Sequence, residues 1–174
     1  MQTALIMTVL GPDRPGIVEA LSTLVADAGG NWLESSMSHL GGHFAGIVQV
    51  SVPTDHVALF REKVEKMAEE GLACTIQDAF ETEADPGICF SLEIMGQDRP
   101  GIVRAISDLV VQAGGNVEKF VSSVESAAMS GEQLFKAEVI VCFDSETKVD
   151  GLEQRLSEIG NELTLDVSWQ ADNR

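Results

Sequence analysis

Gly11-Pro12-Asp13-Arg14-Pro15-Gly16-Ile17-Val18 and Gly96-Gln97-Asp98-Arg99-Pro100-Gly101-Ile102-Val103 are one segment written twice, 85 positions apart. Carrying the comparison on to Asn31 and Asn116 gives fifteen identities in twenty-one aligned positions, both copies closing on Ala-Gly-Gly-Asn. Self-similarity at that level marks an internal duplication. The 174 residues therefore divide into two small domains, 1–82 and 87–174, joined by a short polar stretch, Glu81 to Pro86. Each is near the lower size limit for a self-sufficient core.

Periodicity read outward from the repeated segment gives the same elements in both copies. Ile17, Val18, Leu21, Leu24, Val25 and Ala28 form one apolar stripe at helical spacing, repeated as Ile102, Val103, Ile106, Leu109, Val110 and Ala113. Pro15 and Pro100 suit a first helical turn, where no backbone donor is needed, and the Gly29-Gly30 and Gly114-Gly115 pairs suit the helix ends. Ahead of each helix lies a period-two strand, with Leu5, Met7 and Val9 on one face of the first and Phe90, Leu92 and Ile94 on one face of the second. A weaker strand opens at Asn31 or Asn116 and turns into a stronger one with Phe44, Val48, Val50 and Val52, or Phe135, Ala137, Val139 and Val141, on one face.

The first hairpin turns at Leu40-Gly41-Gly42. The second carries six extra residues around Ala127 to Gly131, because Phe44 matches Phe135 at an offset of 91. Thr54 and Ser145 read as N-caps of a second helix. Its apolar positions are Val57, Phe60, Val64, Met67 and Ala68, or Val149, Leu152, Leu156 and Ile159, and it ends at Gly71 or Gly160. A last strand follows, Leu72-Cys74-Ile76 or Leu163-Leu165-Val167-Trp169. The order is βαββαβ twice. It predicts an α+β protein of two ferredoxin-like domains, each an antiparallel sheet with two helices on one face; the bare sheet faces and edges invite pairing within the chain or between chains, and a homodimer is expected.

Charge and cysteine content exclude several classes. Eleven basic against twenty-eight acidic residues give a formal net charge of −17, and both halves are acidic. A nucleic acid would meet a field of its own sign, so direct DNA or RNA binding is not expected. No apolar run is long enough to span a bilayer, and the N-terminus shows no signal sequence, which predicts a cytoplasmic protein without membrane contact. Cys74, Cys89 and Cys142 have no metal-binding spacing and are odd in number. They read as small buried hydrophobes in strands rather than a disulfide framework. His39, His43 and His56 lack carboxylates or cysteines at ligand spacing, so no metal or cofactor is expected. No nucleophile elbow, Walker loop or nucleophile–histidine pair is present, and the chain does not read as an enzyme.

Two βαββαβ units, each with Asp-Arg-Pro-Gly-Ile-Val before the first helix and Gly-Gly-Asn opening the second strand, resemble tandem ACT domains over nearly the whole chain. Gly29 to Met37, Leu40 to Gly46 and Met129 to Glu138 resemble more narrowly the glycine cleavage system transcriptional repressor family. Ser36, where that pattern has arginine, and Ala128, where it has proline, depart from it and leave the effector open. The resemblance implies a non-enzymatic sensor that binds a small amino acid, glycine or serine, and modulates transcription through contact with a transcriptional activator. The alternative is a regulatory subunit of an amino-acid or one-carbon enzyme, or a dimer serving assembly alone.

The residues themselves support a ligand at the repeated turn. A helix N-terminus offers free N–H groups and a positive dipole end to a carboxylate. The expected site in the first copy is Gly11, Asp13, Arg14, Pro15, Gly16 and Ile17, with Asn31 and Trp32 from the neighbouring strand. In the second it is Gly96, Asp98, Arg99, Pro100, Gly101 and Ile102, with Asn116 and Val117. Asp13 or Asp98 would accept from an ammonium group, and Asn31 or Asn116 would donate and accept. The plainer alternative stays open: the glycines permit a turn, the prolines start helices, and Asp with Arg forms a local cap and ion pair.

Overall fold

A computed structural model of the chain describes residues 1–80, 87–126, 132–144 and 152–172. It divides into two compact units, Met1–Thr82 and Glu83–Arg174. The first unit runs β1 (Gln2–Pro12), α1 (Ile17–Asp27), β2 (Asn31–Leu40), β3 (His43–Pro53), α2 (Val57–Lys66) and β4 (Ala73–Asp78). The second runs β5 (Ile88–Gln97), α3 (Ile102–Gln112), β6 (Asn116–Ser126), β7 (Gln133–Phe143), α4 (Leu152–Leu163) and β8 (Leu165–Ala171). The sheet orders are β2-β3-β1-β4 and β6-β7-β5-β8, antiparallel throughout. Both units are ferredoxin-like. Among the described residues no helix is long and apolar enough to cross a membrane.

Alternation puts one row of each central strand under the helices. Leu5, Met7 and Val9 of β1 and Val48, Val50 and Val52 of β3 meet Ile17, Leu21 and Val25 of α1 and Phe60 and Val64 of α2 in one buried cluster. Phe90, Leu92 and Ile94 of β5 and Val139 and Val141 of β7 meet the buried face of α3 and Leu156 of α4 in the other. Val18 and Val103, read from the sequence as part of the stripe, are instead 46% and 45% exposed; one position past Ile17 or Ile102 turns a side chain about 100° round the helix, off the narrow strip that the sheet covers. Each first helix closes through its glycine pair: Gly29 N–H donates to Ala26 O and Gly30 N–H to Val25 O, as Gly114 and Gly115 do to Val111 O and Val110 O.

Other boundaries differ from the sequence reading. Pro15 and Pro100 stand ahead of the helices, which begin at Ile17 and Ile102 after Gly16 and Gly101. Thr54 does not cap α2: it opens a short 3-10 turn, Thr54–His56, and its Oγ1 lies 3.0 Å from Thr3 Oγ1. Gly71 ends a second 3-10 turn at φ 85° as expected, but Gly160 lies inside α4, and the helix runs on to Leu163, a residue assigned above to the last strand. Ser145, Val149, the linker Glu81 to Pro86 and the hairpin segment Ala127 to Gly131 lie outside the described residues. The strand registers still locate the insertion, since His39 pairs with Phe44 where Val124 pairs with Phe135.

The cysteine reading needs correction. Cys89 of β5 and Cys142 of β7 are cross-strand partners, with Cα atoms 4.1 Å apart, and form a disulfide. An odd count hides one bonded pair and one free thiol, Cys74. Their separation of 53 residues gives no local spacing signal, and only the β5–β7 register brings them together.

Candidate ligand site at the turn before each first helix

The repeated turn is built identically in the two units. Asp13 N–H donates to Gly42 O (2.9 Å) and Asp98 N–H to Gln133 O (2.8 Å), which ties each turn to the hairpin beside it. Gly16 and Gly101 then take φ of 90° and 98° and swing the chain into the helix, a conformation that side-chain-bearing residues rarely adopt. The first helical bonds run from Ala20 N–H to Gly16 O and from Ala105 N–H to Gly101 O. No side chain caps either helix start. The amides of the first turn are therefore free of side-chain caps and add to the positive dipole end.

Gly11 and Gly96 serve a different purpose. They lie within β1 and β5 rather than in the turn. A Cβ on Gly11 would stand 2.7 Å from Gly71 O and from Leu72 Cδ2, and one on Gly96 would stand 2.7 Å from Thr164 O and 2.6 Å from Leu165 Cδ2. Each glycine admits the start of the last strand against the first.

Side chains separate the two copies. In the first, Arg14 Nη2 lies 3.5 Å from both Glu70 O and Glu70 Oε2, Asp13 Oδ2 lies 3.7 Å from His39 Nε2, and the first helical turn carries Glu19. Both charged residues of the turn thus have neighbours within the protein. In the second, Arg99 Nη2 donates to the neutral Gln97 Oε1 (3.1 Å), and Arg104 stands where the first copy has Glu19. Asp98, Arg99, Gly101, Ile102, Val103, Arg104 and Phe135 line a recess of about 460 Å³. Arg104 Nε also lies 3.5 Å from Asp108 Oδ2, on the next helical turn; two guanidinium groups and one carboxylate around an uncapped helix start match a zwitterion's carboxylate and ammonium.

The asparagines do not join these turns within a unit. Asn31 pairs with Ser51, which pairs with Ala4, so Asn31 is level with the beginning of β1, whereas the turn follows its end at Pro12. Eight residues of strand at about 3.3 Å each put roughly 26 Å between the two levels. Asn116 is level with Cys142 and Cys89 at the matching end of the second sheet. β1 and β2 run the same way, so the start of β2 is at the opposite end from the turn. Trp32 and Val117 follow the asparagines and pack against the cores. One small amino acid cannot touch both halves of the expected residue set in a single unit. His39, Arg104 and Phe135 are the members that sequence reasoning missed, although the Glu19/Arg104 difference was open to view in the aligned copies.

A larger recess, about 650 Å³, lies on the helix-free face of the second sheet, with Glu93, Glu138, Asp166, Glu125 and Lys136 among its lining. Lys136 Nζ donates to Glu125 Oε2 (2.6 Å), and that hydrogen bond, with the ammonium charge, holds the Glu125 carboxyl below its ordinary range. It contains none of the turn residues.

Comparison with known proteins agrees with this architecture. The ACT domain family model matches residues 3–76. A UPF0237 protein of Methanopyrus kandleri is 34% identical over 70 residues, which cover 39% of this chain and 78% of the relative. The chain belongs to the ACT-domain family. Its tandem ACT arrangement is shared along the whole length by a protein of unknown function from Galdieria sulphuraria, at 25% identity with a TM-score of 0.87 over 99% of both chains. A protein provisionally named a glycine cleavage system transcriptional repressor has the same fold, at 16% identity with a TM-score of 0.72 over 100% of this chain and 99% of its own. These likenesses show the ACT fold along the chain.

Proposed function

We propose that the chain is a non-catalytic sensor that binds a small amino acid at the turn Asp98–Arg104 of the second ACT unit and passes the bound state to a protein partner. The observation that carries this reading is the recess at an uncapped helix start flanked by Arg99, Arg104 and Asp98. The carboxylate takes the first-turn amides and the arginines, while the ammonium faces Asp98. At roughly 1.5 kcal/mol per heavy atom the affinity ceiling is about a few micromolar for glycine and on the order of tens of nanomolar for serine, so the micromolar to millimolar binding that suits a metabolite sensor is within reach of both.

The partner belongs to the same proposal. With a net charge of −17, the protein acts on transcription through a DNA-bound activator rather than by touching DNA, as the likeness to a repressor-named structure supports. It works in the cytoplasm as a homodimer. The second reading, a regulatory subunit of a metabolic enzyme, shares the same site and differs only in what co-purifies.

Calorimetric titration with glycine, serine and the remaining amino acids tests the site. We expect heat from one or a few of them, lost in Asp98→Ala and Arg99→Ala and kept in Asn116→Ala. Loss in Asn116→Ala with retention in Asp98→Ala would contradict the placement at the turn, and silence across the panel would remove the sensor reading.

A further inference from the structure

We propose that Cys89–Cys142 is a reversible thiol–disulfide site that controls the order of one end of the second unit's sheet. The bond joins the second residue of β5 to the penultimate residue of β7. Strand ends fray first, because they have the fewest packed neighbours. Asn116, the first residue of β6, pairs with Cys142, and Asp172 N–H donates to Cys89 O just after β8. One covalent link therefore stands in a row that crosses the whole sheet. Phe143, next along β7, is 1% exposed in the core, so fraying at this row would also loosen buried packing.

The duplication supplies the control. In the first unit the corresponding cross-strand pair is Ala4 and Ser51, and Asn31 pairs with Ser51 as Asn116 pairs with Cys142. The topology closes there without a bond. The second unit thus has two cysteines in register at a place where the fold does not require them, and Cys74 of the first unit has no such partner.

Access follows from strand alternation. Phe90, Leu92 and Ile94 point to the helices and so do Val139 and Val141, so Cys89 and Cys142 point to the helix-free face. Each is 9% exposed, within reach of a small reductant once the strand ends breathe. The reductant is a small thiol such as glutathione. One thiolate attacks a sulfur of the pair, the Cys89–Cys142 bond breaks, and a mixed disulfide forms. The thiolate of a second molecule attacks the small-molecule sulfur of that mixed disulfide, releasing the protein thiolate, and the two reductant molecules leave joined as their disulfide. Two electrons enter the protein, and two protons complete the thiols. A small-molecule disulfide, such as oxidised glutathione, runs the exchange backwards.

The test uses the intact chain, poised in glutathione buffers from fully reduced to fully oxidised, acid-quenched, alkylated and weighed, with hydrogen exchange followed in parallel. We expect three alkylated cysteines at the reducing end and one, Cys74, at the oxidising end, with full return in either direction. Amides of 116–117 and 141–143 should exchange at least about tenfold faster in the reduced form, while 31–32 and 50–52 of the first unit stay unchanged. The double variant Cys89→Ala/Cys142→Ser, which copies the first unit's pair, should fold and exchange like the reduced protein in every buffer. Three alkylated cysteines at the oxidising end, one at the reducing end, or equal exchange in both forms would each overturn the proposal.

Discussion

Gly16→Ala isolates the left-handed backbone geometry that the turns of both units share. Gly16 sits at φ 90°, and a Cβ built there meets only Glu19 Oε2, at 3.9 Å. No packing is disturbed, so the whole effect is conformational. Holding an L-residue in the left-handed region costs roughly 1–2 kcal/mol, and the gain from a stiffer unfolded chain returns less than about 1 kcal/mol of that. Gly101→Ala, at φ 98° with nothing within 4 Å, should behave alike. Each unit has one tryptophan, Trp32 or Trp169, so urea titration in a Trp169→Phe background reports the first unit and in a Trp32→Phe background the second. With a slope of about 1–3 kcal/mol per molar for small domains, the midpoint falls by a few tenths of a molar to one molar in the mutated unit alone. D-alanine at position 16, introduced by chemical ligation, should leave the midpoint unchanged or raise it. A stable Gly16→Ala protein, or a D-alanine variant as weak as the L form, would refute the assignment of this loss to left-handed geometry.

Gly11→Ala should destabilise through contact instead, because its Cβ would stand 2.7 Å from a backbone oxygen, and D-alanine should give no relief; the same titration separates the mechanisms. Phe60, fully buried in the first core, should cost about 3–5 kcal/mol on change to Ala, read as a midpoint shift in the first unit. Breaking Cys89–Cys142 removes a 53-residue loop constraint worth about 4 kcal/mol in the chain-entropy account, so denaturation under reductant should weaken the second unit and spare the first. Lys136→Met should raise the Glu125 pKa, since the Lys136 hydrogen bond is the main cause of its depression. Because that folded-state pKa lies below the unfolded one, the pair's contribution is present above the unfolded value and fades as pH falls through the folded value; carboxyl NMR titration of the two proteins checks it. Burial raises the Cys74 pKa, so its alkylation should accelerate at higher pH than that of a free thiol.

The repeated segment made the fold legible, because two copies with the same helical stripe and the same alternating strands leave few other element orders open. Legibility ended where residues distant in sequence meet. The Cys89–Cys142 pair exists only through the β5–β7 register, and His39 reaches Asp13 only through the hairpin. Asn31 shows the reverse: its sequence position next to α1 carries no strand direction, and direction puts the residue at the far end of the sheet from the turn. Pro15 and Pro100 fit a first helical turn in sequence, yet the left-handed glycine after each decides that helical geometry begins two residues later, at Ile17 and Ile102. Gly160 misled in a similar way, since a glycine buried in a helix and one that ends it look alike in sequence.

The most direct measurement is a proton–nitrogen correlation titration of the labelled full chain with glycine and with serine. The account predicts that one of them moves the amides of 99 and 101–104 first and furthest, saturating between micromolar and millimolar ligand, with Asp98→Ala abolishing the movement. Saturating shifts that centre on residues 116–117 and leave 99–104 still, or no shift with any amino acid, would contradict it.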